Sequence, residues 1–178
     1  MRSLIAVALV VGAIFLFAPA QGKDSSRAVP EFTHQSQRDW FNSAPLSVRD
    51  LRGKVVLIDF WTYGCWNSYR SFPWLKQVEA RFANRPFAVV GVHTPEFEHE
   101  KDRARVGKNI KKFGLQHPVM VDNDHSYWRK MNNRYWPAFY LVDKQGRIRA
   151  TFVGETHAGR PRALKIERTI EKLLDEGA

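Results

Sequence analysis

VVLIDFWTYGCWNS, residues 55–68, joins an almost unbroken apolar run to the lone cysteine of the chain. Seven residues, Val55–Trp61, hold a single acid, Asp59, and read as a strand buried on both faces. Downstream, Trp66, Tyr69, Phe72, Leu75, Val78 and Phe82 recur every three to four residues, which predicts an amphipathic helix from Cys65 or Trp66 to about Ala83. Pro73 falls inside it and is expected to kink the helix near its second turn rather than end it. Cys65 therefore lies where a buried strand hands over to a helix. Unpaired backbone N–H groups and the positive end of the helix dipole gather at such a point. Both stabilise a thiolate, the form of cysteine that attacks disulfides.

Working outward, Phe87–His93 is a second β-rich run, and Lys101–Phe113 reads as a charged helix with Val106, Ile110 and Phe113 turned inward. A short strand at Pro118–Val121, a short helix at Ser126–Met131 and a strand at Ala138–Val142 follow. Asp143-Lys-Gln-Gly146 predicts a hairpin into a strand over Arg147–Val153, because Gly146 accepts a positive φ. Pro161–Leu174 closes the chain as a helix with Leu164, Ile166, Ile170, Leu173 and Leu174 on one stripe. The order implies an α/β domain, a central mixed β-sheet flanked by helices. Ahead of it, WFNSAPLSVRDLRGK carries turn residues and a Ser47 suited to cap a short helical turn. Residues 21–39 are polar and aperiodic, so they read as a lead-in to a domain spanning 40–178.

The first residues carry Arg2, an uncharged apolar run from Leu4 to Phe17, and small residues at Ala18 and Ala20. This pattern predicts a secretory signal peptide over 1–20, cut ahead of Gln21, or the same segment retained as an uncleaved anchor. The run is short of the ~20 residues that span a bilayer core. Either reading sends the domain to the periplasm or cell envelope, the second with membrane association through the N-terminal segment. Without Arg2 the chain has 27 basic against 18 acidic side chains. The basic residues of 101–112 and 144–172 are interleaved with acids, as on solvated helix faces, and no nucleic-acid motif is present. Nucleic acid is therefore not an expected partner. One cysteine forms no internal disulfide, so in an oxidising compartment Cys65 is free, oxidised or bonded to another molecule.

The 55–68 stretch, with GVHTPEFEHEKD, VDNDHSYW and NRYWPAFYLVDKQGRI, resembles the membrane-associated periplasmic thioredoxin-like proteins grouped with the carboxyl-terminal domain of DipZ and, more distantly, with TlpA. The resemblance runs through nearly all of Trp40 to Leu174. It implies a thioredoxin fold, thiol-disulfide oxidoreductase activity in cell redox homeostasis without a cofactor, and protein thiols or disulfides, or a glutathione-like thiol, as partners. It makes Cys65 the nucleophile, with Ser68 standing where the family carries its second, resolving cysteine. It implies a proton-transfer role for Asp59, for which an ordinary structural acid on a strand is an equal reading. Trp136-Pro137 matches the family's cis-proline loop, which faces the active-site cysteine and lets substrate backbone pair with residue 136. Trp61, Tyr63, Trp66 and Trp136 then form an apolar rim for peptide substrates, although core packing explains some of them equally well.

A serine hydroxyl forms no disulfide, so Ser68 removes ordinary dithiol cycling and leaves three readings. In the first, Cys65 exchanges disulfides as a single thiol and an external thiol completes turnover. In the second, peroxide oxidises Cys65 to a sulfenic acid that an external thiol reduces; it ranks lower because the local sequence carries no clear peroxidase signature. In the third, the domain is a non-catalytic partner-binding module. The six histidines lack a zinc-ligand spacing, so no metal is expected. Glu96, just past a strand end, reads as a solvent-exposed loop acid.

Overall fold

The computed structural model describes residues 27–177; the segment read as a signal peptide or anchor lies outside the described residues. Among those described, no helix is long and apolar enough to cross a membrane. The chain runs β1 (Arg27–Ala28), β2 (Trp40–Phe41), β3 (Val55–Trp61), α1 (Trp66–Phe82), β4 (Phe87–His93), α2 (Arg103–Phe113), β5 (Val119–Val121), α3 (Ser126–Met131), β6 (Ala138–Val142), β7 (Arg147–Val153) and α4 (Pro161–Asp175). Short 3₁₀ turns occupy Gln37–Asp39, Arg49–Leu51 and Glu98–Lys101. Seven strands form one mixed sheet in the order β1-β7-β6-β3-β4-β5-β2. β3 is central and runs parallel to β4 and antiparallel to β6. The thioredoxin-type architecture read from the sequence is the one observed.

Alternation along β3 divides the core. Val55, Leu57 and Trp61 join Phe72, Leu75 and Val78 of α1, Val106 and Ile110 of α2, and Ile166 and Ile170 of α4. Val56, Ile58 and Phe60 join Tyr127 and Met131 of α3 on the opposite face, with Val29, Phe32 and Trp40. All seven residues of β3 are buried, which explains its near-continuous apolar reading. The folded unit begins earlier than the boundary drawn at residue 40. β1 pairs with β7, the Trp40 indole donates to the His34 carbonyl at 2.8 Å, and Phe32 is buried. Polar spacing around isolated Val29 and Phe32 hid a segment whose contacts lie with residues far along the chain.

Local chemistry sets the remaining ends. Asp102 caps α2 by accepting from the N–H groups of Ala104 and Arg105, and Gly114 ends it at φ 66°. The helix predicted from Lys101 is thereby split into a 3₁₀ turn and α2. The Asp143–Gly146 turn closes through Gly146 N–H to the Asp143 carbonyl at 2.9 Å, with Gly146 at φ 72°. Pro73 sits inside α1, which continues for nine residues beyond it.

Candidate active site

Cys65 is the N-cap of α1, with extended φ −79° and ψ 112°. Its carbonyl accepts from the N–H groups of Ser68 at 3.1 Å and Tyr69 at 3.4 Å, which starts the helix. No side chain caps this end, so the first-turn N–H groups that lack helical partners lie beside the half-buried thiol. Across from it the Trp136-Pro137 bond is cis, and the Cys65 Sγ stands 3.8 Å from the Trp136 carbonyl oxygen. Trp136 is held in turn by its indole N–H, which donates to the Thr94 carbonyl at 3.0 Å, and by its ring lying 4.2 Å from that of Trp128. The nucleophile expected from the sequence and the cis-proline loop are thus brought together.

Ser68 points inward. It is fully buried, and its hydroxyl has no hydrogen-bond partner among the described residues. Asp59 shares this face of β3, is buried, and has neither carboxylate oxygen paired among the described residues. Burial foremost, and then the charge of Glu79, pushes its pKa well above the usual carboxylate range. The Glu79 carboxylate itself accepts from Nδ1 of buried His117 at 3.1 Å. Asp59 therefore keeps its proton at pH values where an ordinary aspartate has begun to lose it.

The aromatic rim differs from the sequence reading. Trp61 is fully buried and packs edge-on against Phe72 at 5.3 Å and His93 at 4.8 Å, so it supports the site from below and lines no surface. Period-2 alternation forces this, because Trp61 shares its face with Leu57 and Val55. Trp66 is 62% exposed beside Cys65. Sequence reasoning missed two companions, Tyr135 at 57% and Phe97 at 54% exposure, on the loops that precede the cis-proline and follow β4. No periodic signal marks such loop residues.

Glu100 was also missed. It is completely buried, and one carboxylate oxygen accepts from Gly64 N–H at 2.8 Å, while the other accepts from the N–H groups of Glu96 at 2.6 Å and Phe97 at 3.1 Å. Tyr63 ties the same two loops together by donating its hydroxyl to the His99 carbonyl at 2.7 Å. His93 lies beneath, stacked on Tyr63 at 5.6 Å, and burial holds its pKa down to about 4. Glu96 is exposed, as read from the sequence. Thr62 occupies the position three residues before the thiol where a peroxidase would carry a hydroxyl, contrary to the expectation of no such signature. It is buried, with its hydroxyl 3.4 Å from His93 Nε2.

His34, Asp122 and Asp124 come within 4.8 Å of one another although they are scattered in sequence. Asp122 is already engaged: it accepts from the N–H groups of Tyr127 and Trp128, both at 2.9 Å, and from the Thr94 hydroxyl at 3.1 Å. Its role is to cap α3 and fix Thr94, whose carbonyl holds Trp136. Hydrogen bonding to Asp122 raises the His34 pKa.

Comparison with known proteins agrees with this geometry. A family model described as Redoxin matches residues 24–166. Protein DipZ of Mycobacterium tuberculosis is 41% identical over 119 residues, covering 65% of this chain and 17% of its own length. Thiol-disulfide oxidoreductase YkuV of Bacillus subtilis is 26% identical over 148 residues, covering 83% of this chain and 95% of its own. The crystal structure of thioredoxin-like superfamily protein SPOA0173 superimposes with a TM-score of 0.74 at 29% identity, covering 85% of this chain and 98% of that one. The chain spans less than a fifth of the length of the curated relatives it matches at 40% identity or above.

Proposed function

We propose, because the chain belongs to the redoxin family, that it is a thiol-disulfide oxidoreductase of the cell envelope that works through Cys65 alone. The observation that carries this reading is the Cys65 thiol at the head of α1, 3.8 Å from the cis-proline loop carbonyl, with a buried serine one turn along the helix. The Cys65 thiolate attacks one sulfur of a partner disulfide, that S–S bond breaks, and the other sulfur leaves as a thiolate with the electron pair. Cys65 is then held in a mixed disulfide. Ser68 offers no thiol to resolve it, so a second partner thiolate attacks the partner sulfur and releases Cys65 as the thiolate. Between these steps the intermediate persists, which suits a protein that captures or relays a disulfide.

Trp66 at the start of α1, with Phe97 and Tyr135 on two neighbouring loops, favours a polypeptide partner with apolar side chains near its cysteine over a small hydrophilic thiol. Envelope location rests on the apolar N-terminal segment and its small residues before Gln21. The test is incubation with a disulfide-bonded peptide followed by intact mass analysis. A covalent peptide adduct on the wild-type chain, absent in Cys65→Ser, is expected; a wild-type chain that forms none overturns the reading.

A further inference from the structure

Glu100 is completely buried, carries two acceptor oxygens, and spends them on different loops. One oxygen, turned to the N–H groups of Glu96 and Phe97, does what a capping acid does for the Glu98–Lys101 turn. Capping explains that half only. The other oxygen crosses to a segment 36 residues earlier and accepts from Gly64, the residue immediately before the nucleophile. Gly64 is shaped to receive it: a Cβ added there would lie 2.0 Å from that same oxygen, closer than any side chain permits. Gly64 is not among the positive-φ residues, so its lack of a side chain serves the approach of the carboxylate and not a left-handed backbone.

Building on the exchange reading above, we propose that Glu100 is a positioning residue for Cys65. Its carboxylate clamps the 62–65 loop to the 96–100 loop, so that the thiol and the exposed Phe97 present one preformed groove to the partner polypeptide. Three backbone N–H groups converging on one buried side chain fix both loops before any partner arrives, which removes an ordering cost from the exchange step. The clamp touches neither thiol nor partner. It acts through Gly64 on one side and through Phe97 on the other.

The experiment compares two rates on the full chain: mixed-disulfide formation with a disulfide-bonded peptide carrying aromatic residues beside its cysteine, and alkylation of Cys65 by iodoacetamide, which needs no groove. In Glu100→Ala the peptide rate is expected to fall about tenfold while alkylation stays within about twofold. Gly64→Ala should give the same split, and Gly64→Ala in the Glu100→Ala background should cost nothing more, because the added methyl then has room. Glu100→Gln, which keeps the shape and one oxygen for Gly64, should recover part of the peptide rate and serves as the readout if the alanine variant does not fold. Unchanged peptide rates, both rates falling in parallel, or losses that multiply in the double variant overturn the clamp. A wild-type chain that forms no mixed disulfide instead overturns the exchange reading, so the two failures are distinct.

Discussion

Asp59→Asn should remove a destabilisation that grows with pH in the wild-type protein. Asp59 is 1% exposed, neither oxygen has a partner among the described residues, and burial raises its pKa well above that of the unfolded chain. A raised native pKa means that the folded state holds its proton through a pH range in which the unfolded state has released it. Stability is therefore greatest below the unfolded value, about 3.9. It is lost as pH rises, until the native carboxyl itself ionises. Each pH unit between the two values costs about 1.4 kcal/mol. Every unit of elevation is thus a sizeable share of the stability of a domain whose whole is of order 5–15 kcal/mol. Asparagine keeps the shape and cannot ionise. The assay is urea unfolding of wild type and variant at intervals from pH 4 to 8. The two should be within about 1 kcal/mol near pH 4. They should diverge upward in favour of asparagine with a slope approaching ~1.4 kcal/mol per unit. Parallel curves would refute the claim that Asp59 is a desolvated acid.

Three further outcomes follow from the same geometry. His93→Phe keeps the ring contacts with Trp61 and Tyr63 and should flatten the acid limb of the stability curve. The wild-type histidine, depressed to about 4, loses roughly 3 kcal/mol as pH falls from 6.5 toward that value. Equal acid limbs in the two proteins would contradict this. Ser68→Cys places a thiol one helical turn from Cys65; after oxidation the variant should show no thiol reactive toward a colorimetric disulfide reagent and should reduce insulin catalytically with an added reductant, whereas two persisting thiols would show the turn geometry to be unsuitable. Gly91→Ala drives a methyl to 3.0 Å from Trp61 Nε1 and 3.2 Å from both His117 Nε2 and Val119 Cγ2 in the middle of the sheet. A loss of about 1–3 kcal/mol in thermal or urea unfolding is expected, and a neutral result would show that the Trp61 pocket yields.

The fold and the place of the thiol in it were legible for a common reason. A strand buried on both faces must be apolar throughout, and a helix lying on it must repeat every three to four residues, so β3 and α1 announce both themselves and the junction that carries Cys65. The hairpin at Gly146 and the start of α4 at Pro161 follow from equally local rules. Tertiary structure alone decided which aromatics reach solvent near the thiol. Trp61 and Trp66 look alike in sequence, yet strand alternation sinks the first beneath the site and the helix start lifts the second into solvent.

Glu100 shows the limit most clearly. In sequence it is one acid in HTPEFEHEKD, indistinguishable from Glu96 and Glu98, which end exposed. Burial of one and not the others depends on Gly64 offering a backbone N–H and no side chain at the point where the loops leaving the C-terminal ends of the parallel strands β3 and β4 meet. Periodicity and propensity describe a residue by its neighbours along the chain. They determined here that Cys65 lies where a buried strand hands over to a helix, while the family resemblance implied that Ser68 stands in the place of a resolving thiol. The pairing of Glu100 with Gly64, the loneliness of Asp59 and the docking of residues 27–39 are relations between segments far apart in sequence, and only the folded chain brings them within hydrogen-bonding distance or seals them from water.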